Sequence, residues 1–230
     1  MWRTQLDDLS DEFTVVAWDA PGCGSSSDAP DTFRLPDYAD CLAGLVEVLG
    51  LGPCHVLGHS WGAAVALELV HRHAAIAASL LLVGAYAGWA GSLPPDEVAQ
   101  RLRFALTVAD LAPGTFEPAS MGGVFSDAMA PDRVEELTRI MHEVRPAATR
   151  TMAYALAEAD LRETLGDIQV PTLILAGGAD ERSPVGVAQA LHEAIPNSTL
   201  VVLAGLGHEM YLESPVVFDD AIRSFLRTVR

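Results

Sequence analysis

Half of the 230 residues are hydrophobic, enough for one α/β domain with an inserted cap. With 31 acidic against 14 basic residues the formal net charge is −17, which argues against nucleic acid or an anionic membrane surface as a partner. Three cysteines, Cys23, Cys41 and Cys54, form no C-x-x-C pair, so they predict a reduced, cytoplasmic setting and no cysteine metal site. The polar, acidic run from Trp2 to Glu12 does not read as a secretory leader, and no apolar run reaches bilayer length.

Residues 2–10 read as a short helix with Trp2, Leu6 and Leu9 on one face. Phe13–Trp18 is apolar and β-branched, and predicts a buried parallel strand. A loop rich in Gly, Ser, Asp and Pro follows over 19–33, and within it Asp19 is read as binding backbone N–H groups of its own loop. Pro36 and Asp37 open a helix with Tyr38, Leu42, Leu45, Val46 and Leu49 at helical spacing, ended by Gly50 and Gly52. Cys54–Leu57 predicts a strand, and Ala63–Val70 a helix with an apolar stripe.

Ser79–Val83 predicts the next buried strand, after which the strand–helix alternation stops. Prolines at 94, 95, 113, 118, 131 and 146 divide residues 85–165 into short helices, predicted at Asp96–Thr107, Pro131–Glu143 and Ala147–Ala157. This segment is read as a helical cap between a first core part, 1–84, and a second, 166–230. Its aromatic and Met residues, with Trp89, Phe125 and Met129 as candidate substrate contacts, predict an apolar inner face for a small acyl or ring substrate. Arg101, Arg103, Arg145 and Arg150 are candidates to hold a substrate carboxylate, but the favoured reading is solvated helix charges. Strands are predicted at Thr172–Ala176 and Leu200–Leu203. Ser183-Pro184 is read as N-cap and first turn of one helix, and Ser214-Pro215 as the start of the closing helix.

The chemistry centres on Gly58-His59-Ser60-Trp61-Gly62. A G-x-S-x-G pentapeptide between a strand and a helix is the context of a nucleophile elbow, in which the serine sits on a strained turn and the glycines leave room for it. The helix that follows aims free N–H groups at a developing anion. A serine hydroxyl needs a base, and His208, in a glycine-flanked loop after the last strand, is the candidate. Asp180, at the end of the preceding strand, would orient it, with adjacent Glu181 as the rival and Glu209 less favoured. The Trp61 N–H would be one oxyanion donor. His71 and His73, two apart, share no helix face and predict no metal site.

With these motifs in this order, the chain resembles an α/β-hydrolase of the esterase, lactonase and C–C hydrolase type. The likeness runs through Val15–Ser26, the elbow, Pro171–Asp180 and Leu200–His208. It implies a mostly parallel sheet with helices on both faces and an inserted cap, a Ser60–His208–Asp180 triad, no cofactor, and a small-molecule ester or lactone as substrate. C–C bond hydrolysis, cofactor-free perhydrolysis and a non-catalytic or inactive fragment remain the alternatives. The family's third strand ends in a His-Gly loop that supplies a second oxyanion donor, and no His-Gly dipeptide occurs here. The resemblance therefore implies a chain that starts inside the fold, with a gap between the segments 14–18 and 54–58.

Overall fold

A computed structural model describes residues 1–112, 115–117, 121–124, 126 and 129–229. Phe125 lies outside the described residues. Four parallel strands, β1 (Cys54–His59), β2 (Ala77–Val83), β3 (Thr172–Gly177) and β4 (Ser198–Leu203), form one sheet in the order β1-β2-β3-β4. Every strand pairs with its sequence neighbour, as in Leu57↔Leu81, Leu81↔Leu173 and Leu173↔Thr199. Central β2 and β3 are mostly apolar and almost wholly buried, with Ser79 and Thr172 the polar exceptions, because both faces of the sheet are covered.

Successive side chains of a strand point to opposite faces, and the two cores follow from this. Leu80, Leu82, Ile174 and Ala176 pack with α2 (Leu35–Val48), α3 (Trp61–Arg72) and α7 (Val185–Ala194). Leu81, Val83, Leu173 and Leu175 pack on the other face with Met210, Tyr211 and Leu212 of α8 (Met210–Glu213) and with Phe218, Ile222, Phe225 and Leu226 of α9 (Pro215–Thr228). The short helix α1 (Arg3–Asp8) lies against α9, where buried Gln5 donates to the carbonyl oxygen of Tyr211 and to Asp219, both at 3.3 Å. α4 (Pro95–Ala109), α5 (Pro131–His142) and α6 (Pro146–Glu158) stand between β2 and β3, each with proline in its first turn.

Two expectations are corrected. Phe13–Trp18 forms no strand among the described residues. β1 is the edge of the sheet, so the segment has no adjoining ladder there. Phe13 and Val15 instead rest on the second core, and Val16 is 49% exposed. Ser183 is not an N-cap: its hydroxyl donates to the carbonyl oxygen of Ala85 at 2.9 Å, and Pro184 precedes the helix. Asp37, by contrast, accepts the N–H of Arg34 at 2.8 Å and closes the start of α2.

Candidate active site

Ser60 stands between the last residue of β1 and the first of α3. Its φ of 52° and ψ of −112° make it the only non-glycine in the left-handed region among the described residues. For a residue with a Cβ this is a strained position, held here because both sides are tied down. Its N–H donates to Val83 on β2 at 2.8 Å, and its carbonyl oxygen accepts the N–H of Ala63 at 3.0 Å. The two glycines of the pentapeptide differ. A Cβ on Gly58 would fall 2.3 Å from the carbonyl oxygen of Gly62, so the turn and the helix backbone touch there. A Cβ on Gly62 would meet nothing within 4 Å, so the crowding expected at both glycines exists only at the first.

Asp180 and His208 are brought together from the ends of β3 and β4. His208 Nδ1 lies 2.8 Å from Asp180 Oδ2, and both side chains are buried. The other carboxylate oxygen of Asp180 accepts the N–H groups of Arg182 and Ser183, each at 2.8 Å. A buried carboxylate with its oxygens occupied in this way is fixed in orientation. Glu181 is exposed and makes no bond to the histidine. The two loops are laced by Ala179 N–H to Leu206 at 2.8 Å and Gly178 N–H to Leu203 at 2.9 Å. Glu213 accepts the N–H of Gly207 at 2.8 Å and anchors the residue before His208. The imidazole lies against the end of β2, because a Cβ on Gly84 would sit 3.0 Å from its Cε1. The serine N–H is bonded one residue earlier, at Val83, so Ser60 and His208 converge on the same step of β2.

A cavity of about 560 Å³ opens beside Trp61, lined by the helices α4 and α6, by Trp89 and by Glu181 and Arg182 of the turn after β3. Trp61, Trp89, Phe104, Met152 and Leu156 give it an apolar lining, and Arg101 and Arg182 add charge. Trp61 packs edge-on against Tyr38 with ring centres 4.8 Å apart. Trp89, a predicted contact, lines the cavity. Met129 does not: it is buried in the second core with Val124 and Leu137. Of the four candidate arginines only Arg101 lines the cavity; Arg145 donates to the carbonyl oxygen of Ser26, Arg150 pairs with Asp110 at 2.7 Å, and Arg103 is exposed. Asp19 accepts the N–H of Ser25 at 2.9 Å within its own loop, which removes it from the site.

His59 was not singled out by sequence, because as the first x of the motif it carries no signal of its own. Its side chain is largely buried, its Nε2 is 3.0 Å from the carbonyl oxygen of His208, and Glu209 is 4.0 Å away. Burial pushes its pKa down, against the opposing pull of Glu209. Ligand atoms of His59, His208 and Glu209 lie within 4.8 Å of one another. They are a poor metal set: Nε2 of His59 faces a carbonyl and Nδ1 of His208 is held by Asp180.

Comparison with known proteins agrees with this architecture. The sequence model of the alpha/beta hydrolase fold matches residues 1–215. A protein of Caulobacter sp. (strain K31) named "Putative carbamate hydrolase RutD" is 29% identical over 233 residues, covering 98% of this chain and 85% of that one. A thermophilic esterase from Thermogutta terrifontis superposes with a TM-score of 0.90 at 30% identity, over 99% of this chain and 85% of that one. The enol-lactonase from Burkholderia xenovorans LB400 shares the fold, with a TM-score of 0.85 at 22% identity over 98% and 85% of the two chains. Among the described residues no helix is long and apolar enough to cross a membrane.

Proposed function

The chain belongs to the alpha/beta hydrolase fold family and is a hydrolase, and we propose that it cleaves a small, largely apolar ester or lactone with Ser60 as nucleophile, His208 as base and Asp180 as its orienting acid. The observation that carries this is the backbone of Ser60, a left-handed serine between strand and helix beside the buried Asp180–His208 pair. Strain of this kind persists only where the surroundings enforce it, and it lifts the hydroxyl clear of the chain.

In this reading the Ser60 oxygen attacks the acyl carbon while His208 Nε2 takes its proton. The imidazolium that forms is stabilised by Asp180, and it returns the proton to the leaving alkoxide. Water activated by the same imidazole then releases the acid and frees the serine. The N–H of Trp61, at the start of α3, donates to the oxyanion, helped by the positive end of the helix. The apolar lining of the cavity supports a hydrocarbon acyl group or ring, and no cofactor enters the scheme. Residues 85–165 serve as the cap over this site, within a cytoplasmic protein.

A second reading, carbamate hydrolysis, draws on the name of the relatives at 27–29% identity. It uses the same attack on an acyl carbon, so carbamate esters belong in the substrate panel.

The test is intact mass after incubation with a fluorophosphonate. A single adduct on the parent chain and none on Ser60→Ala is the expected result. A folded parent that stays unmodified overturns the serine mechanism.

A further inference from the structure

The two guanidinium groups of the cavity differ in what balances their charge. Arg101 is matched: Nε and Nη2 donate to Glu97 Oε1 at 3.1 and 2.7 Å, and Nη1 donates to the Tyr86 hydroxyl at 2.8 Å. Arg182 is not. Its guanidinium reaches only the carbonyl oxygen of Gly122, at 3.3 Å, and forms no ion pair with a carboxylate of the described residues. Asp180, two residues away, spends its oxygens on backbone N–H groups and on His208. Glu97 is committed to Arg101, and Glu181, the other acid of the lining, is exposed to water.

A partly dehydrated cation without a counter-charge is costly, and a ligand that brings an anion repays that cost. Burial lowers the pKa of Arg182 and nearby Arg101 adds repulsion, while Tyr86 and the more distant charges of Asp180 and Glu209 offset this only in part and none of them pairs with the guanidinium. In a chain carrying 31 acidic residues, an arginine left without an ion-pair partner in a cavity that Trp61 also lines is a selective arrangement. The apolar wall formed by Trp61, Trp89 and Phe104 leaves room for a carbon chain in the same cavity.

We propose that Arg182 forms an anion subsite in this cavity, and that the preferred substrate is an ester or lactone whose acyl part carries a second, free carboxylate. This deepens the serine-hydrolase reading and rests on it. Arg182 is a binding residue that sets specificity; its planar fork suits bidentate contact with a carboxylate.

The experiment compares mono-p-nitrophenyl adipate with p-nitrophenyl hexanoate, esters of equal acyl length that differ in the terminal carboxylate. The parent favours the adipate ester in kcat/KM. In Arg182→Gln the ratio of the two kcat/KM values falls by about 10- to 100-fold, the usual worth of one charged hydrogen-bonded contact. Arg182→Lys, which keeps the charge but not the fork, recovers part of it. An unchanged ratio in Arg182→Gln overturns the subsite. A second arm does not depend on turnover: monomethyl adipate is titrated calorimetrically into Ser60→Ala and into the Ser60→Ala, Arg182→Gln double variant. Affinity about ten-fold or more weaker in the double variant supports the subsite. Equal affinity, or no binding to either protein, overturns it. If the folded parent cleaves neither ester, the serine reading falls and the calorimetry alone decides on the subsite.

Discussion

His59 Nε2 lies 3.0 Å from the carbonyl oxygen of His208, so the residue before the candidate nucleophile holds the backbone of the candidate base. A carbonyl oxygen only accepts, which puts the proton of the neutral imidazole on Nε2. His59 is thereby a positioning residue acting through His208. His59→Leu should lower kcat by about 10- to 100-fold with little change in KM, since small displacements of a reacting group carry costs of that size. His59→Gln, whose amide can donate to the same oxygen, should recover part of the loss. Steady-state kinetics on the three proteins decide it, and equal kcat in the leucine and glutamine variants would remove the positioning role.

The same histidine makes stability depend on pH. Burial lowers its folded pKa below the ordinary value near 6.5. Between the folded value and about 6.5 the unfolded chain binds more protons, so stability rises with pH there. The contribution is fully present above about 6.5 and is lost as pH falls toward the folded value. At the other end, burial and then Glu209 raise the pKa of Tyr211 well above 10, so its contribution is present below about 10 and is lost as pH rises beyond it. Urea midpoints at about pH 5, 7 and 10.5 should therefore peak at the middle value, and His59→Leu should flatten the acid limb.

Asp180→Asn keeps an oxygen for the N–H groups of Arg182 and Ser183 but turns an amide toward His208. The wrong tautomer of the base should then prevail, with kcat lower by about 10³–10⁴ and the fold retained. Hydrolysis of p-nitrophenyl acetate alongside circular dichroism measures both. Turnover within a few-fold of the parent would reject Asp180 as the orienting acid.

Gly58 and Gly62 should respond differently to the same substitution. Gly58→Ala places a methyl 2.3 Å from a backbone oxygen and should cost about 1–3 kcal/mol or more. Gly62→Ala meets nothing within 4 Å and lies in α3, where alanine is favoured over glycine by about 0.5–1 kcal/mol. Denaturant midpoints should move in opposite directions. A symmetric loss at both positions would refute this account of the turn.

What sequence made legible was local. The strand–turn–helix around Ser60, the strands β1 to β4 and the helices α4 to α6 each declare themselves through periodicity, turn residues or proline placement within a short window. The segment 13–18 has strand composition and still forms no strand, because a strand needs a ladder partner and composition does not supply one. The bond between His59 and His208 joins residues 149 apart, beyond any spacing rule. Met129 and Trp89 look alike as apolar residues between β2 and β3, yet one fills a core and the other lines the cavity. Arg182 carries no signal of its own in the sequence, and its lack of an ion-pair partner is visible only in three dimensions.

Asp180 accepts from the backbone of Arg182 and Ser183 with one oxygen and faces His208 with the other. The wall of the cavity that carries Arg182 and the base that drives the proposed reaction are thus fastened to a single carboxylate. Changes in the 180–183 turn will alter selectivity and turnover together, whereas α4 and α6 touch the cavity without touching that carboxylate. Directed evolution toward new substrates has independent latitude on the helical side, at Gln100, Phe104, Thr149 and Met152, and little at the turn.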